Sequence, residues 1–233
     1  METSFLQWWQ RLYRIRRRLR DFSFQMFRID AQHSYAPPHQ GPDWYGKILA
    51  RNKFAGSVYM PHAGSLADAL ALAGEHGYIR RVVPRLDLLP LADVPAHPLI
   101  VSVYLPTPDA RLLEQIAERG LAAELPAACW PIPTPPGLTV ALDGIPEDCE
   151  SLPPNIYCKL TGFRLPATPD QAERLRRALR APGPERLMYA SAWPYAGATW
   201  KETLAAFTQS LGPMPIPLRE QLLGATAAAF YRI

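Results

Sequence analysis

The feature that most constrains the fold is a regular alternation of short apolar runs with turns and helical stretches. Eight runs of strand length follow one another, at residues 24–30, 55–60, 81–87, 99–105, 121–125, 138–143, 156–160 and 187–190. Eight strands with intervening helices are typical of a closed parallel barrel, and a chain of 233 residues is long enough for one. The sequence therefore predicts an α/β fold, a compact (β/α)8 TIM-like barrel.

Helical periodicity between the runs supports this prediction. Apolar residues recur at spacings of three and four in the segments 65–76, 108–119, 170–180, 200–211 and 218–229. Two connections differ, because residues 126–137 contain five prolines and residues 147–155 are few and contain two more. Proline removes a backbone donor and clashes with the preceding helical turn. We predict that these two crossovers are trimmed and hold no full helix.

The first 21 residues form a separate module in sequence terms. Six arginines lie there against Glu2 and Asp21, a balance of +4 that equals the net charge of the whole chain. Apolar residues recur in this segment at helical spacing, namely Phe5, Trp8, Leu12, Ile15 and Leu19. We therefore divide the chain into a basic amphipathic N-terminal helix, residues 1–21, and a barrel, residues 22–233.

Two interpretations of the N-terminal helix remain open. It can cap or flank the barrel, with arginine stems lying over apolar surface. Alternatively, residues 5–20 bind an acidic protein partner or an anionic membrane surface. In the second interpretation the contact residues are Trp8, Trp9, Arg14, Arg17 and Arg18. Nucleic acid is not an expected partner, because the basic run is short and the rest of the chain is neutral.

Composition narrows the cellular setting. No stretch approaches the roughly 20 apolar residues that cross a bilayer, and the first residues lack the pattern of a secretory signal. The three cysteines, Cys129, Cys149 and Cys158, are odd in number and have no CxxC spacing. They are interpreted as reduced thiols. We expect a cytoplasmic protein, with peripheral membrane attachment as an option through the N-terminal helix.

Several stretches resemble a known family in the expected order. These are Arg-Ile-Asp-Ala-Gln-His-Ser at 28–34, Gly-Leu-Thr-Val-Ala-Leu-Asp-Gly at 137–144, Pro-Asn-Ile-Tyr-Cys-Lys-Leu-Thr-Gly at 154–162, the segment 185–194 and the segment 222–231. They are similar to the strand 1, 6, 7 and 8 motifs and the closing helix of the amidohydrolase superfamily. The resemblance is to the branch of metal-dependent barrel hydrolases that includes sugar-lactone and dicarboxylate-lactone hydrolases.

The resemblance implies a metal site that this chain has lost. In such enzymes two strand 1 histidines, a strand 6 histidine and a strand 8 aspartate surround a divalent metal such as zinc, which activates a water molecule. The matching positions here are Gln32, Ser34, Gly144 and Ala192. Glycine and alanine offer no side-chain donor, and neutral amide and hydroxyl oxygens bind transition metals weakly. We expect no metal cofactor and no metal-dependent hydrolysis.

Other residues are weak candidates for a relocated site. His33 lies between the two vacated strand 1 positions, but neighbours on a strand face opposite sides, which favours a structural role. His62 follows strand 2 and Asp87 ends strand 3, so both are placed at the mouth of the barrel. Asp143 and Lys159, on strands 6 and 7, are expected near the former metal centre, where they could form a buried ion pair.

Three functional hypotheses follow. The leading one is a non-catalytic barrel that acts as a binding or interaction subunit, alone, in a homo-oligomer or in a hetero-oligomer with an active paralogue. The second is a divergent hydrolase of a lactone or related carbonyl substrate, without metal or with relocated ligands. The third is a membrane-surface scaffold that works through the N-terminal helix. The sequence contains no Gly-x-Ser-x-Gly elbow, phosphate-binding loop or dinucleotide fingerprint that would indicate another chemistry.

Overall fold

The computed structural model describes residues 27–34, 41–194 and 199–233. The predicted N-terminal helix, with Trp8, Trp9, Arg14, Arg17 and Arg18, lies outside the described residues. Eight strands follow in chain order: β1 Arg28–His33, β2 Phe54–Tyr59, β3 Ile79–Val82, β4 Ser102–Tyr104, β5 Ala122–Pro126, β6 Val140–Asp143, β7 Ile156–Leu160 and β8 Leu187–Tyr189. The number and order of the predicted strands are confirmed.

The strands pair in parallel with their neighbours in sequence, as a sheet of β1 to β3 and a sheet of β4 to β8. Backbone hydrogen bonds join the two sheets at both edges. On one side the Ser34 amide donates to the Trp193 carbonyl at 2.8 Å, and on the other the Leu86 amide donates to the Tyr104 carbonyl at 2.9 Å. The strands thus follow one another around the α/β barrel that the sequence predicted.

The helices flank the strands. They are α1 Pro42–Arg51, α2 Leu66–Glu75, α3 Ala110–Glu118, α4 Pro169–Arg180, α5 Trp200–Leu211, α6 Ile216–Glu220 and α7 Thr226–Tyr231. Side-chain caps fix several helix starts, because Ser65, Thr168 and Thr199 each form a reciprocal capping box with the residue three positions later. Within the described residues no helix combines the length and the apolar character needed to span a membrane.

The two crossovers that were predicted to be trimmed contain only single 3-10 turns. These are Ala127–Cys129 between β5 and β6, and Cys149–Ser151 between β6 and β7. A third crossover is also trimmed, since the connection from β3 to β4 has only the turn Leu91–Asp93 as helix. The prolines that exclude helices here leave short loops on one side of the barrel mouth.

Some element boundaries differ from the prediction. Strand β1 runs from Arg28 to His33, three residues beyond the predicted end, and residues 24–26 of the predicted strand lie outside the described residues. Strand β3 ends at Val82 instead of residue 87, and Pro84, which cannot donate to a strand ladder, follows two residues later. Helix α1 was not predicted, because its start is marked by a proline at the first turn rather than by a side-chain cap.

Small and apolar side chains fill the lower barrel interior. The buried cluster consists of Ile29, Ala31, Val58, Met60, Val83, Ala122, Ala141, Met188, Ala190, Ala227, Phe230 and Tyr231. The last helical segment packs against β1 through a π turn, Gln221–Ala225. Gly224 within that turn lies so close to β1 that an added Cβ would be 1.8 Å from the Phe27 carbonyl oxygen. This contact requires glycine.

Candidate functional site

A buried polar network occupies the barrel interior next to the apolar cluster, and Tyr231 belongs to both. The Lys159 ammonium is fully buried and forms a salt bridge with Glu124. It also donates to the Gln32 Oε1 atom at 2.9 Å. Glu124 in turn accepts hydrogen bonds from Ser102 Oγ at 2.6 Å and Tyr231 Oη at 2.9 Å. We call these five residues the interior network; its buried charges are paired, which is what burial of an ammonium and a carboxylate requires.

Asp143 lies at the edge of this network without joining its ion pair. Its carboxylate accepts a hydrogen bond from Thr161 Oγ1 at 2.8 Å and a longer one from Gln32 Nε2 at 3.4 Å. The predicted pair between Asp143 and Lys159 is therefore wrong, because Glu124 on β5 takes the ammonium instead. Glu124 is the single carboxylate within the otherwise apolar strand β5, and this sequence signal was missed.

A bulge in β1 separates Gln32 from His33. Between Asp30 and His33 the pairing with β2 slips by one residue, and the Gln32 side chain enters the interior network. The His33 ring instead stacks on Tyr45 with centroids 4.3 Å apart, and its Nδ1 lies 2.9 Å from the Val58 carbonyl oxygen. Burial lowers the pKa of His33 from 6.5 to about 3, so the ring is neutral. His33 stands in a packing layer, apart from the other candidates.

Asp30 joins four elements in that same layer. Its carboxylate accepts hydrogen bonds from Tyr45 Oη at 2.6 Å, Trp200 Nε1 at 2.8 Å and the Ser191 amide at 2.8 Å. The side chain is fully buried, and this burial raises its pKa above the usual value. Asp30 thereby connects β1 and the end of β8 with helices α1 and α5. The strand 1 aspartate of the motif is a structural residue here.

The remaining candidates meet at the C-terminal mouth of the barrel around one guanidinium. Arg85 donates to both oxygens of Asp87, at 3.1 and 2.8 Å, and its Nη1 lies 2.8 Å from His62 Nδ1. The guanidinium also lies 5.2 Å from the centroid of the Tyr104 ring. Because a guanidinium can only donate, His62 Nδ1 accepts, and the neutral ring carries its proton on Nε2.

The protonation states of this cluster disfavour acid–base catalysis at neutral pH. Burial and the Arg85 charge lower the pKa of His62 from 6.5 to about 4, so it is a weak base. Burial and the Asp143 charge raise the pKa of Tyr104 to about 12, so the phenol stays protonated. Hydrogen bonds from Arg85 hold the pKa of Asp87 below its usual range. The cluster can hydrogen-bond a ligand more readily than it can exchange protons with one.

The four vacated positions do not provide a metal site. Gln32 uses its amide on Lys159 and Asp143, and Ser34 is almost fully buried with a hydroxyl that has no hydrogen-bond partner among the described residues. Gly144 and Ala192 both have positive φ, of 113° and 49°. Across residues 27–34, 41–194 and 199–233, no three His, Cys, Asp or Glu side chains converge so as to hold a metal ion. These residues do not fit the divalent metal that the resemblance implies.

Beside the mouth lies a cavity of about 580 Å³, which we call the groove. The loops after β5, β6 and β7 and the first turns of α4 form it. Its lining residues are Ala127, Ala128, Trp130, Gly144, Ile145, Pro146, Glu147, Asp148, Thr161, Gly162, Phe163, Gln171 and Arg174. Two of these, Gly144 and Thr161, are the chain neighbour and the hydrogen-bond donor of Asp143. The groove therefore opens beside Asp143, where the trimmed crossovers leave room.

Comparisons with known proteins agree with the barrel fold. The sequence profile of the amidohydrolase family matches residues 12–233. Comparison with curated protein sequences gives no significant match. Among solved structures, a probable 2-pyrone-4,6-dicarboxylic acid hydrolase from Acinetobacter baumannii with citric acid bound is similar at a TM-score of 0.64 and 15% identity. That alignment covers 90% of this chain and 100% of the other.

A second solved structure, of an Agrobacterium tumefaciens protein in its apo form, has a TM-score of 0.52 and 14% identity. It covers 88% of this chain and 96% of the other. At these identities the two structures establish a shared fold.

Proposed function

Because the chain belongs to the amidohydrolase family, while its four metal positions carry no ligand set, we propose that it has lost metal-dependent hydrolysis and acts as a non-catalytic binding subunit. In this proposal it needs no cofactor. It works in the cytoplasm, either alone or in an oligomer with an active paralogue. The barrel supplies a stable frame with a polar mouth, and the ligand or partner contacts are made there and through the N-terminal segment.

The single observation that carries this proposal is the pair of hydrogen bonds that the Gln32 side chain forms. In the family resemblance a metal-binding histidine stands at this position. Here the amide oxygen accepts from Lys159 and the amide nitrogen donates to Asp143. A side chain with both ends engaged in a buried network is a structural bridge, and breaking it would leave buried polar atoms unsatisfied. The site centre thus supports the fold rather than a reaction.

A divergent hydrolase is the second candidate, and two observations favour it. Asp143 lies near enough to His62 and to Tyr104 to act on both electrostatically at the mouth. The similar Acinetobacter baumannii structure is described as a probable 2-pyrone-4,6-dicarboxylic acid hydrolase. Against it, His62 with a pKa of about 4 is too weak a base to activate water efficiently at neutral pH.

A hydrolysis assay separates the two candidates. The full chain is incubated with 2-pyrone-4,6-dicarboxylate, with and without added zinc or manganese, and ring opening is followed by absorbance. We expect no rate above that of buffer. Turnover that disappears in His62→Gln or Asp143→Asn, but persists in the control Glu114→Gln on the exposed face of α3, would overturn the non-catalytic proposal and establish the hydrolase.

We further propose that residues 5–20 are the docking element, with Trp8, Trp9, Arg14, Arg17 and Arg18 in contact with an anionic membrane or an acidic partner. The concentration of the net charge in this segment supports it. In a sedimentation assay, the full chain should bind vesicles containing phosphatidylserine and release them at high salt. Deletion of residues 1–21 should abolish binding. Equal binding by the deleted chain, or none by the full chain, contradicts membrane docking.

A further inference from the structure

The groove combines three features that recognise a particular ligand chemistry. It has the size of a small-molecule site. A half-buried indole, Trp130, lines it, and two exposed carboxylates, Glu147 and Asp148, lie on the same lining. Aromatic faces and carboxylates both attract organic cations, the first through the ring quadrupole and the second through charge. The lining is therefore better suited to a cation than to an anion.

Asp143 is not itself a lining residue, but it lies beside the groove as the chain neighbour of Gly144 and the acceptor of the Thr161 hydroxyl hydrogen bond. It adds a carboxylate that the described residues leave without a cation. The two cations nearest to the mouth are engaged elsewhere, since Lys159 pairs with Glu124 and Arg85 is held by both oxygens of Asp87. Within the described part of the chain Asp143 has no salt bridge, and its two hydrogen-bond donors are a neutral hydroxyl and a neutral amide. A half-buried carboxylate in this state is stabilised by an external cation.

In the described ranges no three acidic, His or Cys side chains gather at one point, so these carboxylates do not form a site for a single metal ion. Carboxylates that do not converge instead match a flexible ligand that carries several separated charges. An aliphatic polyamine has this chemistry, with ammonium groups joined by methylene chains that can lie over an indole. The lining contains one cation, Arg174, and that side chain is paired with Asp170 at 3.0 Å.

We propose that the groove binds an extended organic cation of the polyamine class, with one ammonium group at Asp143 and another at Glu147 and Asp148, and with its methylene chain over Trp130. This ligand assignment rests on the proposed function of the barrel as a binding protein rather than a hydrolase. It makes the groove a specificity-determining site that the loss of the strand 6 side chain at Gly144 leaves open.

Isothermal titration calorimetry of the full chain with spermidine tests the proposal. We expect saturable binding that weakens with salt, and no binding of succinate. Asp143→Asn should weaken binding about tenfold, since a charge-assisted contact in a partly buried place is lost. The double variant Glu147→Gln with Asp148→Asn and the variant Trp130→Leu should each weaken it by about three- to fivefold. Removal of the competing cation in Arg174→Gln should tighten it slightly.

The controls separate this proposal from the one on which it rests. Glu114→Gln removes an exposed carboxylate far from the groove in sequence and should leave the spermidine Kd unchanged. Because Glu147 and Asp148 are exposed, their double variant should fold even if Asp143→Asn does not. No binding of spermidine, or binding that is insensitive to that double variant, overturns the polyamine assignment. Neither result bears on the outcome of the hydrolysis assay. Only turnover in that assay overturns the non-catalytic role.

Discussion

Two sides of the barrel differ sharply in how their polar groups are satisfied. On one side lies a buried layer that we call the seam, formed by Asp30, His33, Tyr45, Ser191, Trp193 and Trp200. Four donors from the described residues converge on the Asp30 carboxylate, namely the Tyr45 hydroxyl, the Trp200 indole and the backbone amides of Gln32 and Ser191, and the rings of His33, Tyr45 and Trp193 stack. On the other side lies the groove, whose carboxylates Glu147 and Asp148 are exposed on loops that lack full helices.

The difference teaches that fold and chemistry are separable in this barrel. The seam contains the parts of the family motifs that were retained, including Asp30 and the Trp193 next to Ala192, and these residues hold helices onto strands. Of the four positions that the family resemblance assigns to metal ligands, Gly144 lines the groove, whereas Ala192 lies between the seam residues Ser191 and Trp193. In the proposed function the seam stabilises the frame while the mouth makes other contacts.

The largest expected effect tests whether the interior network stabilises the fold, as the seam does. Lys159→Met leaves the Glu124 carboxylate buried without its ammonium and should reduce the free energy of unfolding by about 3–5 kcal/mol. The double variant Lys159→Met with Glu124→Leu should recover most of that loss, because no unpaired charge remains. Chemical denaturation of the three proteins measures this, and a Lys159→Met variant as stable as the parent would place the network on the functional side.

A direct test of the comparison removes one carboxylate from each side. Asp30→Ala leaves the Tyr45 hydroxyl, the Trp200 indole N–H and the Ser191 amide without their acceptor, so we expect a loss of about 3 kcal/mol or more. The matched change Asp148→Ala in the groove should stay within about 0.5 kcal/mol, since the side chain is exposed. Equal losses in thermal and urea unfolding would break the comparison.

The seam should also give the protein an acid-sensitive stability. Burial depresses the pKa of His33 to about 3 in the folded chain, below the ordinary value of 6.5. The stabilising contribution of the neutral His33 ring is therefore fully present above about pH 6.5 and is lost as the pH falls toward 3. At pH 5 the loss of stability amounts to about 2 kcal/mol. His33→Phe keeps an aromatic ring on Tyr45 and should flatten this part of the stability profile; an unchanged profile would show that His33 already ionises in the folded state.

The smallest expected effect concerns the vacated strand 8 position. Ala192 has a φ of 49°, a left-handed conformation that costs an L-residue about 1 kcal/mol. Ala192→Gly relieves this strain, so after the larger unfolded-state entropy of glycine we expect a gain of about 0.5 kcal/mol. The control Ala190→Gly, where φ is not positive, should lose about 1 kcal/mol. A loss at both positions would argue against strain at Ala192.

The sequence predicted the frame well and the site poorly, for physical reasons. Periodicity and proline content report on local structure, so the order of the eight strands and both trimmed crossovers could be predicted. The partner of Lys159 could not, because strand alternation tells which residues face inward but not which of two inward carboxylates an ammonium reaches. For His33, strand alternation alone indicated that the side chain points away from the barrel interior. The β1 bulge is the place where the pairing register with β2 shifts. The tautomer of His62 depended on Arg85, which no sequence pattern singled out.

The central claim is that the former metal centre is now a structural network beside a ligand groove. The most direct test is the metal content of the purified full chain, expressed with excess zinc and manganese, desalted and measured by inductively coupled plasma mass spectrometry. The account predicts far less than one ion of any transition metal per chain, because Gln32, Ser34, Gly144 and Ala192 offer no adequate ligand set. One tightly retained zinc or manganese ion per chain would contradict it.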